Sequence, residues 1–276
     1  MPPRALPSFR KPPVTEVVVG LAFKPIDELS TTRIGQLWAE KFASAFPNAD
    51  EQPPYEPPVE RFDLPVPRLS VGLELTGFPR PRVWFINEAG DEVVQIQHNY
   101  FACNWRKVQP DGQYGRWGSR RSAFERSLSA FRSFLVEHGL GDVVATQCEV
   151  TYVNHIEPNG GWSNHSDAAM VFTFVNSPAF QEEGFDGRLE QVQLSEQLRI
   201  EKDGDAIGRL HVVLQPAFRR LDNQPIYVLE LTARGRPLSE DTEGIMSFLD
   251  EGRAAIVRAF AALTSPTMHG VWERYD

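Results

Sequence analysis

The chain has 276 residues, 41% of them hydrophobic and 24% charged, so it can bury a full core, and disorder is excluded for most of its length. Its formal charge of -9 argues against nucleic-acid binding, because non-specific affinity for phosphate backbones comes from Lys and Arg. Cys103 and Cys148 lie in strand-like apolar segments, as buried free thiols of a reducing compartment would; no secretory leader or membrane-length apolar run is present, and a cytoplasmic chain without membrane contact is expected.

Residues 1–13 hold five prolines and read as an extended or mobile arm. VTEVVVGLAF, residues 14–23, is β-branched and reads as a strand, and residues 30–46, with Ile34, Leu37, Trp38, Phe42 and Phe46 at helical spacing, read as a helix stopped by Pro47. Residues 48–67 form a polar, proline-rich connector, expected to wrap over the domain rather than act as a flap. Three strands follow in a meander: RLSVGLEL, PRVWFIN and one long strand, DEVVQIQHNYFACNW, with NEAGDE as the turn before it. GRWGSRR, with Arg116, Arg120 and Arg121, is expected to be a solvated loop and helix start. The helix itself is expected from Ser122, with a Ser122–Glu125 capping box and a stop at Gly139.

The second part reads as the strand VVATQCEVTYVNHI, an irregular stretch in which residues 162–178 favour strand, three more strands with KDGDA as a turn, and a helix over roughly 240–264 ended by Pro266. The two element orders match, and EVVVGLAFKP aligns with EVTYVNHIEP. The expected fold is therefore α+β: two pseudo-duplicated halves, residues 14–142 and 143–276, each an antiparallel sheet with one or two helices packed on one face. In element order only, this resembles TATA-binding-protein-like and effector-binding architectures, a likeness that carries no function.

P-loop, dinucleotide-binding, nucleophile-elbow, HExxH and paired CxxC patterns are absent. QIQHNYFACNWR, residues 95–106, mixes amides with large apolar residues; read as a single strand, it puts Gln95, Gln97, Asn99, Phe101 and Trp105 on one face and Ile96, His98, Tyr100 and Asn104 on the other. With TQCEVTYVNHIEP it supplies a candidate polar groove of Gln95, Gln97, His98, Asn104, Glu149, Thr151, Asn154 and His155. Glu149 and His155 share strand parity, as a base and its orienting partner would. No ligand spacing supports a metal site from His98, Glu149, His155 and His165, and no cofactor is expected. Trp105, Arg106, His269 and Trp272 are candidate interface residues, because Trp272, in the closing HGVW, suggests a tail that docks on the chain itself or on a partner.

PPVTEVVVGLAF, QIQHNYFACNWR, EVTYVNHI and HGVW together resemble a sporadically distributed bacterial and archaeal family of proteins of about this length. The resemblance implies no activity for any residue; its patchy distribution points to accessory genes, such as defence or toxin–antitoxin loci. The leading expectation is a non-enzymatic binding or regulatory protein with a protein partner, a second copy of itself or a small ligand. The alternatives are a hydrolase or transferase with a dispersed site on Glu149, His155, His98 and Asn104, and a structural subunit of a larger assembly.

Overall fold

A computed structural model describes residues 5–62, 80–110, 112–175 and 187–276. Nine strands form one antiparallel sheet in the order β2-β3-β4-β5-β1-β6-β9-β8-β7. They are β1 (Val14–Phe23), β2 (Asn48–Gln52), β3 (Arg82–Ile86), β4 (Glu92–Gln97), β5 (Tyr100–Arg106), β6 (Ala145–Ile156), β7 (Leu194–Lys202), β8 (Asp205–Phe218) and β9 (Pro225–Gly235). The two parts of the chain meet where β1 pairs with β6, with Val18 opposite Thr151, so their strands share one continuous sheet.

Period-two alternation gives the sheet two unlike faces. Val17, Val19, Leu21 and Phe23 of β1 are buried on the side that carries the helices, together with Val150 and Tyr152 of β6 and Leu229, Leu231 and Ala233 of β9. Against that face pack α2 (Arg116–Glu137), across β5 and β1, and α4 (Thr242–Leu263), across β6, β9 and β8. Phe101 stacks on Phe131 with centroids 5.5 Å apart and meets Phe124 edge-on at 5.6 Å, and such aromatic pairs add about 0.5–1.5 kcal/mol each beyond their area. At the other end Phe248 of α4 sits on the paired glycines Gly208 and Gly235; a Cβ at Gly208 would lie 2.8 Å from its ring. The shorter helices are α1 (Thr31–Leu37), α3 (Ala168–Val171) and α5 (Pro266–Val271), and among the described residues no helix is long and apolar enough to cross a membrane.

Several expectations are corrected. The long strand at 91–105 is a hairpin: His98 and Asn99 form a two-residue turn, and Gln97 lies opposite Tyr100. Residues 30–46 are helical only to Phe42, where α1 runs into a π-helical turn, Trp38–Phe42. The connector begins with an edge strand, β2, before it leaves the sheet. The strand expected at 68–75 lies outside the described residues. Helix α2 starts at Arg116, six residues before Ser122, because its first turns are tied down from outside: Trp117 Nε1 donates to Asp250 at 2.7 Å, Arg121 Nε to Asp250 at 3.0 Å, and Arg120 pairs with Glu92 at 2.8 Å. The Ser122–Glu125 capping box thus falls inside the helix.

Residues 162–175 make no strand. Asn164 and Asp167 form a capping box that starts a 3-10 turn at His165–Asp167 and then α3, and only Phe172 forms a bridge, to Thr264. Pro266 opens a helix rather than merely ending one: Ser265 caps α5, with Pro266 in its first turn. The proline arm is an ordered lead-in from residue 5, with Tyr275 N–H donating to the Ser8 carbonyl and Arg10 N–H to the Glu273 carbonyl.

Candidate functional site

The sheet face opposite the helices carries polar side chains in rows. One row runs Gln95, Ala102, Gly20, Glu149, Arg234, Arg209; the next runs Val93, Asn104, Val18, Thr151, Thr232, His211. On the β3–β5 side the bonds form a relay of neutral donors ending on one carboxylate: Trp84 Nε1 donates to Gln95 Oε1 at 3.0 Å, Gln95 Nε2 to Asn104 Oδ1 at 2.6 Å, and Asn104 Nδ2 to Glu16 Oε1 at 2.7 Å. Each amide both accepts and donates, which satisfies buried groups that would otherwise cost about 1–3 kcal/mol each. At the centre the hydroxyls of Thr151 and Thr232 pair at 2.8 Å.

On the β6–β8 side the chemistry is ionic. Arg234 holds Glu149 through Nε at 2.7 Å and Nη2 at 2.5 Å. Glu60, 4% exposed, arrives from the connector and takes Arg209 and His211, the latter at 2.5 Å, with Arg234 Nη1 at 3.5 Å. Burial alone would raise the Glu60 pKa, but His211 and Arg209 outweigh it and hold the carboxyl below its ordinary value. Burial likewise opposes the charge on Arg234, and Glu149 more than restores it. Two glutamates and two arginines balance, so the buried cluster carries little net charge.

Residues 53–62 form a strap across this face. Pro53, Pro54, Pro57 and Pro58 lack N–H groups, so the strap cannot join the sheet as another strand, and side chains hold it instead. The Gln97 amide takes the place of a neighbouring strand: it accepts from Tyr55 N–H and donates to the Tyr55 carbonyl, both at 2.8 Å. The Tyr55 ring packs on Tyr100 at 4.7 Å with Arg82 over it at 5.5 Å, and Arg209 Nη2 donates to the Arg61 carbonyl at 3.2 Å. Burial and the nearby Glu149 push the Tyr55 phenol up to about 12 and Tyr100 well above its ordinary value, so both stay protonated. Gly20 makes room for the anchor, since a Cβ there would lie 2.8 Å from the Tyr100 hydroxyl.

Of the eight groove candidates, Gln95, Gln97, Asn104, Glu149 and Thr151 lie together on this face, and His155 shares their side of the sheet at the far end of β6. Asn154 does not: it points to the helix side, buried, with Nδ2 on the Leu229 carbonyl at 3.0 Å. His98 sits in the β4–β5 turn, where burial lowers its pKa. His155 has the parity of Glu149 but lies six residues along β6, about 20 Å away at ~3.3 Å per residue, so the two cannot act as base and orienter. His165 is elsewhere again, its Nε2 3.0 Å from the Ile226 carbonyl. Among the described residues no three His, Cys, Asp or Glu side chains are placed to hold a metal ion. Both cysteines are free, and burial pushes the Cys103 thiol up to about 12 and Cys148 higher still, which leaves no poised thiolate.

The interface candidates also separate. Trp105 is buried on the helix side, and Trp272 packs at 5.1 Å on Phe260 and 6.2 Å on Phe9, with His269 beside Phe9 at 5.4 Å, so the tail docks on its own chain. Arg106 is on the open face, donating from Nε to the Gly90 carbonyl with Trp84 beneath it. Sequence reasoning did not single out Tyr55, Glu60, Arg209, His211 and Arg234. Alternation in RLHVV and LELTAR already put Arg209, His211 and Arg234 on the non-core face, but nothing local marks Glu60 as their partner. Comparison with known protein families, with curated proteins and with solved structures returns no match, and the reading of the site rests on its geometry.

Proposed function

We propose that the chain is a non-enzymatic binding protein whose open sheet face holds an extended polypeptide segment with an aromatic and an acidic anchor. The observation that carries this reading is the way the strap is held: the sheet's own side chains bond its backbone at Tyr55 and Arg61 and pocket its Tyr55 ring and Glu60 carboxylate. A face that grips a proline-rich segment through side chains can grip a partner's segment of the same chemistry once its own strap is displaced. The dispersed-site reading lacks such support, since Glu149 is committed to Arg234 and distant from His155.

The test uses the strap as a probe. A synthetic peptide of residues 52–62 is titrated against the wild type and against a Tyr55→Ala/Glu60→Ala variant whose strap has lost both anchors, with fluorescence polarisation as the readout. The variant is expected to bind the peptide at least tenfold more tightly than the wild type, where the strap competes intramolecularly. Equal or undetectable binding to both folded proteins would sink the reading.

We also read the chain as an internal duplication. Glu16 and Glu149, 133 residues apart, are central on the same face, and β1-β5-β4-β3 on one side is mirrored in order by β6-β9-β8-β7 on the other, which supports descent from one repeated unit.

A further inference from the structure

A cavity lies on the helix side, where α2 and α4 meet the arm and the tail; it measures about 270 Å³. Its walls are apolar, with Phe9, Trp117, Leu231, Ile256 and Phe260 among them, and the arm from Pro7 to Pro12 and the Tyr275 ring border it. The polar side chains facing it include the hydroxyls of Tyr114 and Tyr152, the guanidinium of Arg253 and the amide of Asn154, whose Nδ2 is spent on the Leu229 carbonyl. The Tyr114 and Tyr152 hydroxyls pair at 2.6 Å; whichever one donates, the proton of the other has no acceptor among the described residues. Burial raises both phenols, so both protons are present at neutral pH.

Arg253 lies beside the Tyr152 hydroxyl. It hydrogen-bonds that hydroxyl, makes no ion pair with any described residue, and its buried Nε has no acceptor among the described residues. Arg116, at the rim, spends one Nη1 bond on the Phe9 carbonyl at 2.9 Å and flanks the Tyr275 ring at 5.9 Å. No carboxylate among the described residues lines the cavity, in a chain whose formal charge is -9. An apolar chamber with an uncompensated arginine and a spare phenolic proton is complementary to an anion carried on an apolar body. Its volume falls just under the roughly 300–1,000 Å³ typical of pockets for drug-sized ligands, which suits a small one.

We infer that this cavity binds a small amphipathic carboxylate, with the carboxyl group on Arg253 and the tyrosine pair and the aromatic or aliphatic body against Phe9, Ile256 and Phe260. The Nε of Arg253 then gains the acceptor it lacks, and the free phenolic proton gains another.

The probes are benzoate, 3-phenylpropionate and hexanoate, each compared with its neutral amide by calorimetric titration and by thermal melting of the full chain. At least one carboxylate is expected to bind, tenfold or more tightly than its amide. Arg253→Gln should weaken that binding at least tenfold, and Tyr114→Phe, which keeps the shape of the cavity, should weaken it several-fold. If no acid binds at millimolar concentration, if acid and amide bind alike, or if folded Arg253→Gln binds unchanged, the assignment is wrong. The strap peptide is read out on the opposite face, so either proposal can fail without the other.

Discussion

The two sides of the open face start from the same arrangement and resolve it with different chemistry. Glu16 stands opposite Arg106 across β1 and β5, as Glu149 stands opposite Arg234 across β6 and β9. On the first side Arg106 turns to the Gly90 carbonyl and Glu16 closes a relay through Asn104, Gln95 and Trp84. On the second, Arg234 keeps its glutamate and helps Arg209 and His211 hold a second one, Glu60, brought in by the strap. The difference teaches what each side is for. A relay of amides is complete within the sheet and asks nothing of the rest of the chain. A cluster of two arginines and one resident glutamate is incomplete until an acidic segment arrives from outside, so that side holds the strap by charge, while Gln97 and Tyr100 of the first side hold it by the backbone and ring of Tyr55.

The largest way to break this comparison is Glu60→Ala. Removing one member of a buried ion cluster leaves Arg209 with no other carboxylate among the described ion pairs and is expected to cost about 3–5 kcal/mol in urea unfolding, with faster tryptic cleavage after Arg61. A loss under about 1 kcal/mol would mean that the strap is not held by its charge. Next comes Asn104→Ala on the neutral side. It strands the Gln95 amide and should cost about 1–3 kcal/mol while leaving the rate of tryptic cleavage after Arg61 as in the wild type. Enhanced cleavage there would show that the two sides are coupled rather than separate.

The smallest effect is the response to acid. The folded Glu60 carboxyl titrates below the unfolded value of about 4.3, so its contribution is complete above that pH and is lost as pH falls through the folded pKa. The melting-temperature gap between wild type and Glu60→Gln should therefore hold from pH 7 to about 5 and begin to narrow as pH falls through the unfolded value of about 4.3. Trp84→Phe, which removes only the indole donor to Gln95, should show a gap that does not change over the same range. A Glu60→Gln gap that persists undiminished at pH 3 would contradict an ionised anchor.

Much of the framework could be read from local pattern. β1 at 14–23 and β9 at 225–235 lie where alternation and β-branching put them, and α4 occupies 242–263 within the expected 240–264. The hairpin at His98–Asn99 escaped because no Gly or Pro punctuates it. A single strand running through the turn inverts the parity of everything after it and puts Asn104 on the face away from Gln95, whereas the hairpin brings the two into a hydrogen bond. The start of α2 was misplaced for a related reason: Ser122 and Glu125 are a locally valid cap, overruled by Asp250 from another helix.

Sequence by itself determined which residues alternate within a strand and where proline and glycine break the chain direction, because these follow from backbone geometry within a few residues. Tertiary structure alone decided that Glu60 would meet Arg209, His211 and Arg234, about 150–175 positions further along the chain, and that Arg253 and the two tyrosines would face one chamber. The physical reason is that a polar side chain takes its role from the partner that desolvates it, and here that partner is supplied by the order in which nine strands assemble.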